Sequence, residues 1–426
     1  MKIQIESHTP DPVTLCAKAS YISHSNLKIT QIFSGEAPKN PLNYLNKILK
    51  MGHLSVLEHA YFNILIEDAP VTAEIFAIQY RLASFTVKSR RYTDVIKDGF
   101  YPVNPPKNKD FLNKIQNFYQ KMLDLDIPLE DARFILPYSF KTNFIMTMNA
   151  RELGYFLYES QNQSALPEMH QIAGAIIEAT ASYFPVYKEN LSIFQRESLL
   201  FTEQKLPDTR FKPLNEVEIL NSTPSPDHFY QNLLSFPSQG SYNEISELSP
   251  QFIEDSLKLS HNRALEALSF TFYLGEITLA GLTHILRHRM HSPLLPPLFT
   301  PGLKYHLRIP PRIKAEGLQD EFLEIAELSH TLENSEKNIY YRLVAAAFPI
   351  LTTINARELY HFFKLRLCER AQWEIRELAE KMLLAVKQKA PLLFAKAGPS
   401  CVVLGYCPEG DHTCGKFKEM MGKYRG

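Results

Sequence analysis

Glycine is scarce in this chain, 16 residues of 426. A dinucleotide fold cradles its ligand on a glycine-rich turn, so that class is improbable here. Cysteine is scarcer still: Cys16, Cys368, Cys401, Cys407 and Cys414 make an odd number, too few for a disulfide framework in so long a chain. No run of about 18 apolar residues occurs. The start, Met1-Lys2-Ile3-Gln4-Ile5-Glu6, alternates as a strand does, so neither a membrane span nor a signal peptide is read there. Charge of one sign is missing too, because 46 Lys+Arg balance 46 Asp+Glu. That excludes the broad basic surface of a dedicated nucleic-acid binder and leaves room for a small anion pocket built from a few arginines. We expect a cytoplasmic protein of two or three domains.

What is present is a repeat. Asn149-Ala150-Arg151-Glu152-Leu153 returns 206 residues later as Asn355-Ala356-Arg357-Glu358-Leu359, and Ala165 and Glu168 return at the same offset as Ala371 and Glu374. Upstream, His53, Glu58, Phe62, Arg81 and Ser84 return 208 residues later as His261, Glu266, Phe270, Arg289 and Ser292. Even the beginnings match, since Thr9-Pro10-Asp11-Pro12 after one alternating segment is echoed by Thr223-Pro224-Ser225-Pro226 after another, Val217-Glu218-Ile219. Two copies of about 200 residues are too few and too long for a solenoid. Fused protomers of an oligomer fit better. The expected domains are repeats at 1–205 and 213–395, joined by a polar linker at 202–208, and a cysteine-bearing tail at 396–426.

Within each repeat the period changes in the same order. Residues 60–66 and 268–274 alternate with one apolar face, as half-buried strands do. Residues 71–80 and 277–286 then place apolar side chains at helical spacing. Residues 356–387 contain no Pro or Gly and carry Leu359, Phe362, Phe363, Trp373 and Ile375 among charged residues, which predicts one long helix with Asn355 and Arg366, 11 positions apart, on one face. The fold class is therefore α+β (mixed α/β), sheets packed with long helices.

Candidate chemistry sits where the short helices end. In repeat two, His284-Ile285-Leu286-Arg287-His288-Arg289 sets three ionisable groups in a row, pointing in different directions. They could surround a phosphate or pyrophosphate; the plainer reading, favoured by the triplet alone, is a solvated basic helix end. Repeat one has Gln79, Tyr80 and Arg81 there, followed by Ser89, Arg91 and Tyr92, a set suited to a nucleoside monophosphate. Repeat two answers with Pro293, Pro296 and Pro297, which should prevent a regular hydrogen-bonded element. In the tail, Cys401, Cys407, Cys414 and His412 could offer three thiolates and an imidazole to zinc or an iron–sulfur cluster, but the spacings fit no compact knuckle, so reduced thiols without a metal are expected. Gly410–Phe417 comes close to a P-loop, yet Phe417 cannot supply the magnesium-binding hydroxyl.

These residues resemble the flavin-dependent thymidylate synthases, whose signature is Arg-His-Arg, two variable residues, Ser, a variable residue, Asn, two variable residues, Ser, a variable residue and Arg, often with Tyr after it. The likeness extends through Gly52-His53 to Glu58-His59, Ala132-Arg133-Phe134-Ile135-Leu136-Pro137, both Asn-Ala-Arg runs, and Leu365-Arg366 with Ala371-Gln372-Trp373-Glu374-Ile375-Arg376. It implies a homotetramer with active sites where subunits meet, each using FAD to reduce a one-carbon unit passed from methylenetetrahydrofolate to dUMP, with NADPH reducing the flavin. No enzyme nucleophile is implied; the protein positions and polarises. The resemblance assigns Ser89, Arg91, Tyr92, Arg133, His284, Arg287 and Arg366 to substrate, with Ser89 and Arg366 catalytic. It assigns Ser20, His53, Ser55, Glu58, Arg287, His288, Arg289, Asn355 and His361 to FAD.

The departures are complementary. Repeat one has Thr86 for the signature Asn, Val87 for the usual Glu, and Ser160 where repeat two has Arg366, but keeps Ser89, Arg91, Tyr92 and Arg133. Repeat two keeps Arg287, His288, Arg289 and Arg366, while Ile339 replaces the counterpart of Arg133. His361 stands for a family Asn, and repeat one has Tyr155 there. The expectation is one composite site per fused pair and a homodimer that forms a pseudo-tetramer. The competing expectation is a degenerate flavin- or nucleotide-binding protein on the same scaffold.

Overall fold

The computed structural model describes residues 1–36, 38–101, 109–162, 164–196, 216–240, 242, 244–245, 247–258 and 262–425. The expected linker at 202–208 and His261 lie outside the described residues. Two compact units form: Met1–Gln204 with Pro297–Lys304 and Ile309–Ala345, and Lys205–Pro296 with Tyr305–Arg308 and Ala346–Gly426.

Each unit is built on an antiparallel sheet, and a path of four strands runs in the same order in both. In the first unit β1 (Lys2–His8), β2 (Tyr61–Pro70), β3 (Ala83–Val87) and β4 (Lys141–Asn149) stand as β1-β2-β4-β3. In the second, β5 (Val217–Ser222), β6 (Ser269–Thr278), β7 (His291–Leu294) and β9 (Ala346–Asn355) stand as β5-β6-β9-β7, and β8 (His306–Leu307) also pairs with β9. Irregularities recur as well. β2 shifts register between Ile66 and Ala69, and β6 between Leu274 and Ile277, the equivalent place; a bulge retained in both copies is a feature of the fold. The predicted alternation is realised, with Phe62, Ile64 and Ile66, and likewise Phe270, Phe272 and Leu274, buried on one face. Phe62 meets Phe184 edge-on at 5.5 Å, and Phe270 meets Phe394 at 5.6 Å.

Two expectations are corrected. The single helix over 356–387 is two, Ala356–Arg366 and Trp373–Lys389. Side-chain capping, not Pro or Gly, makes the break: the Leu367 N–H closes the first helix on the Phe363 carbonyl at 3.1 Å, and the Gln372 side-chain oxygen accepts from the Ile375 N–H at 3.2 Å to start the second. The turn lets buried Glu374 accept from the Thr278 N–H and hydroxyl at 2.8 and 2.7 Å. Repeat one breaks likewise, between Ala150–Ser160 and Pro167–Thr180, and Glu168 accepts from Thr72. The second correction concerns Pro293, which does occupy a strand, β7, opposite Thr352. Among the described residues β7 lies at the end of its sheet, where a missing N–H need cost no ladder bond.

Contact does not follow the repeat boundary. The helix Gln319–Glu336, from the second repeat, packs on Lys109–Asp124 in the first unit, with Phe118 and Phe322 6.2 Å apart edge-on and Lys121 paired to Glu321 at 2.5 Å. Among the described residues no helix is long and apolar enough to cross a membrane.

Candidate active site

In the second unit, β6 leads into the helix Leu279–Ile285, and the chain leaves it through the cation triplet. Arg287 and Arg289 are exposed while His288, between them, is 6% exposed. The buried ring is held from two sides. Arg366 donates from Nε to His288 Nε2 at 3.1 Å, so that nitrogen carries the lone pair; Nδ1–H then donates to Glu358 Oε1 at 2.6 Å. Burial pulls the His288 pKa below its ordinary value, the Glu358 hydrogen bond opposes this, and the Arg366 charge adds to the lowering. A neutral imidazole follows. Arg366 also donates from Nη2 to the His284 carbonyl at 3.3 Å, so its planar guanidinium is fixed by bonds from two nitrogens. His288, Glu358 and His361 place ligand-type atoms within 4.8 Å of one another. The guanidinium at His288 makes this trio a hydrogen-bonded relay and a poor cation site. Sequence reasoning missed Glu358, although it stands inside the repeated Asn-Ala-Arg-Glu-Leu run.

Repeat one has lost this relay. Tyr80 stands in the place of His288 and donates to Glu159 at 2.6 Å, packed edge-on against Phe76 at 5.7 Å and Phe156 at 5.4 Å. Ser160, in the place of Arg366, is buried and donates back to the Phe156 carbonyl at 2.7 Å. What it keeps is the turn after β3. Arg90 is buried there and forms a two-pronged pair with Glu74 at 2.5 and 2.9 Å, and Glu74 also accepts from Thr142 at 2.8 Å. That anchor, also missed from sequence, fixes the backbone carrying Ser89, Arg91 and Tyr92. Arg91 pairs through Nε with Glu130 at 2.6 Å, and its guanidinium lies 5.6 Å from the Tyr92 ring centre. Arg133, 3% exposed, donates to the carbonyl of the same Glu130 at 3.1 Å. One short helix, Leu129–Ala132, thus orients two of the predicted phosphate-binding arginines. In repeat two the equivalent turn, Ile339–Tyr341, begins with buried Ile339.

The sequence profile of the family described as thymidylate synthase complementing protein matches residues 4–186 and again 220–392. The chain belongs to this family, in tandem form. Curated relatives carry the name flavin-dependent thymidylate synthase: one from Geobacter sulfurreducens is 36% identical over 166 residues, 37% of this chain and 72% of its own length, and one from Clostridium tetani is 34% identical over 242 residues, 49% of this chain and 96% of its own. A solved flavin-dependent thymidylate synthase from Helicobacter pylori, complexed with FAD and dUMP, aligns at 23% identity and a TM-score of 0.38, covering 45% of this chain and 99% of that one.

The remaining residues that the family resemblance assigns to the flavin are spread over both units. Ser20, on the helix Pro12–Ile22, is buried. His53 and Ser55 are exposed at the turn Leu54–His59, and Glu58 there pairs with Arg151 at 2.6 Å. Glu266 and Arg357 form the same pair in repeat two, so the retained glutamate holds the arginine of the Asn-Ala-Arg run. Asn355 caps Ala356–Arg366, accepting from the Glu358 N–H at 2.8 Å. The span from Asn355 to Arg366 is therefore a whole short helix from cap to last residue. Exposed His361, its ring 5.6 Å from that of His288, borders a cavity of about 220 Å³ walled by Asn262, Arg357, Tyr360 and Lys364.

Proposed function

We propose that this chain methylates dUMP to dTMP as a tandem flavin-dependent thymidylate synthase, taking the carbon from methylenetetrahydrofolate and reducing equivalents from NADPH. One composite site per fused pair draws on repeats 1–205 and 213–395. The observation that carries this reading is the complementary loss: the relay Glu358–His288–Arg366 survives only where the Ser89–Arg91–Tyr92–Arg133 set is gone, and the reverse. Independent decay of both halves gives no reason for complementary survivors.

The donor set suits FAD. The cavity beside His361 is walled by the cations Arg357 and Lys364 and by the Tyr360 ring, a chemistry matched to a pyrophosphate and its flanking rings; Arg287, His288, Arg289 and Asn355 would complete the hold, with Ser20, His53, Ser55 and Glu58 as further contacts. Bound flavin supplies the hydride. The chain's own part is electrostatic. Arg91 and Arg133 bind the nucleotide phosphate, Tyr92 its sugar or base, and Ser89 orients it by a hydroxyl. Arg366, with His284 and Arg287, polarises the pyrimidine, and neutral His288 transmits the Glu358 anchor to the Arg366 plane without adding a charge. We place the reaction in the cytoplasm, and two chains assemble as a pseudo-tetramer.

The absorbance spectrum of the purified protein tests this. Bound flavin that bleaches with NADPH, and dTMP formed on adding dUMP and methylenetetrahydrofolate, are expected. A protein that binds flavin and makes no dTMP is the degenerate binder; one that takes up no FAD is neither.

A further inference from the structure

Four of the five cysteines, Cys368, Cys401, Cys407 and Cys414, lie in the second unit. The tail offers the thiols Cys401, Cys407 and Cys414, with His412 between the last two, at spacings that fit no compact knuckle. The fold adds a fourth thiol. Cys368 stands in the turn between Ala356–Arg366 and Trp373–Lys389, where its carbonyl accepts from the Ala371 N–H at 2.8 Å. Its neighbours bind the tail at separate points. Ser400, adjacent to Cys401, donates from Oγ to the Lys364 carbonyl at 3.1 Å. Arg370 donates from Nη1 to the His412 carbonyl at 2.6 Å, and Lys416 donates from Nζ to Glu369 Oε2 at 3.0 Å. Cys414 is thereby strapped between two bonds that end on residues 369 and 370. Cys407 follows the left-handed turn at Gly405, φ 79°, which reverses the chain after the helix Ser400–Leu404.

Burial holds the Cys368 and Cys401 thiols above the ordinary thiol range, and neighbouring thiols add to it, Cys414 and Cys407 for Cys368, Cys368 and Cys407 for Cys401. None of the four is in a disulfide.

We propose that Cys368, Cys401, Cys407 and Cys414 form a structural zinc site of four thiolates that pins the carboxyl-terminal tail to the turn just after Arg366. Four sulfurs leave no open coordination position, which marks a structural site. Cations stand beside them: Arg370 and Lys416 make the strapping bonds, and Arg376 pairs with Glu369 at 3.7 Å, offsetting the net negative charge of a tetrathiolate zinc. As thiols the sulfurs are not gathered within 4.8 Å of one another, as the His288 trio is. Closure requires the four side chains to move together and release of the thiol protons on binding.

Elemental analysis of the full-length protein, purified without chelator, is expected to find one zinc per chain. Exchange with cobalt(II) should give the intense visible bands of a tetrahedral tetrathiolate, and a chelator should make four thiols reactive. Cys368→Ser and Cys414→Ser should each weaken zinc retention at least about tenfold, whereas Cys16→Ser, a buried thiol in the other unit, should retain one zinc. Cys368→Ser is decisive, because a site made by the tail alone would ignore it. Iron with sulfide in place of zinc, no sulfur-to-cobalt bands in the wild type, or full zinc retention by Cys368→Ser would each overturn the proposal. If a variant does not fold, the wild-type cobalt spectrum and thiol count decide.

Discussion

Pro137 and Leu343 hold the same position in the two repeats, 206 residues apart, and they pair with each other in an antiparallel bridge. The flanking bonds are exchanged symmetrically: the Tyr138 N–H donates to the Arg342 carbonyl at 2.7 Å, and the Val344 N–H to the Leu136 carbonyl at 2.8 Å. Residues 138 and 344 are equivalents, as are 136 and 342. Reciprocal contact of this kind is the local pattern of an isologous pairing, and here both segments lie within the first unit. In the proposed assembly each chain of 49.0 kDa replaces two protomers of a tetramer. Light scattering should therefore find a homodimer; a stable monomer contradicts the pseudo-tetramer.

The retained half of the repeat-one site can be tested at Arg91. Its guanidinium is mostly covered and already oriented by Glu130, so it should meet a phosphate with little loss of freedom. Arg91→Ala should weaken dUMP binding by about 1.5–3 kcal/mol, the range for hydrogen bonds to charged groups. Gln79→Ala removes only a 2.9 Å bond to the Ile75 carbonyl and should leave dUMP affinity nearly unchanged. Equal damage from both would show that the live site is misassigned.

Two glycines in helices should respond oppositely to alanine. A Cβ on Gly281 would lie 2.8 Å from Glu374 Oε1, the carboxylate that locks onto Thr278, whereas a Cβ on Gly174 would meet nothing within 4 Å. Gly174→Ala should stabilise by about 0.4–1 kcal/mol through helix propensity and a less flexible unfolded chain. Gly281→Ala should destabilise by about 1–3 kcal/mol, the cost of overpacking. Denaturant titration of both variants measures it, and stabilisation by Gly281→Ala would mean that the Glu374 lock gives way cheaply.

Much of this was legible in sequence because the duplication supplied its own control. Strands 61–70 and 269–278 showed twice the alternation that buries Phe62 and Phe270. The break after Arg366 was hidden because it depends on a local side-chain cap at Gln372 and on the reach of Glu374 to Thr278, 96 residues away in sequence. Glu130 and Glu358 were hidden for a related reason: a carboxylate that holds an arginine, as Glu130 holds Arg91, or a histidine, as Glu358 holds His288, is recognisable only once its partner is placed. Cys368 was overlooked as a partner of the tail because only the turn brings them together.

The His288 ring gives a pH signature. Burial lowers its pKa from the model-peptide value of 6.5, so between that value and its lowered folded value the unfolded chain binds more protons. Stability therefore falls as pH drops below about 6.5, by at most about 1.4 kcal/mol per pH unit from this group. His288→Gln cannot titrate. Its deficit in melting temperature relative to wild type should narrow as pH falls from 7 toward 5. A constant gap would mean that His288 does not change charge differently on folding.

Arg366 is the residue on which the proposed composite site most depends. It ends the helix Ala356–Arg366, and bonds from two of its nitrogens, 3.1 Å to His288 Nε2 and 3.3 Å to the His284 carbonyl, set the plane of its guanidinium. Lysine keeps the charge but carries a single ammonium on a flexible stem, so it cannot reproduce both bonds and the planar face together. The fold should tolerate the change: lysine and arginine differ by a few tenths of a kcal/mol in helix propensity, and one lost hydrogen bond costs about 1 kcal/mol. Arg366→Lys should therefore retain flavin and melt within a few degrees of wild type while losing most dUMP-dependent turnover. Titrating the flavin spectrum with dUMP, beside thermal melts of both proteins, separates the outcomes. Equal affinity and equal turnover would remove Arg366 from the site. A large fall in melting temperature would assign it to holding the helix end against His288, and the polarising role would pass to Arg287.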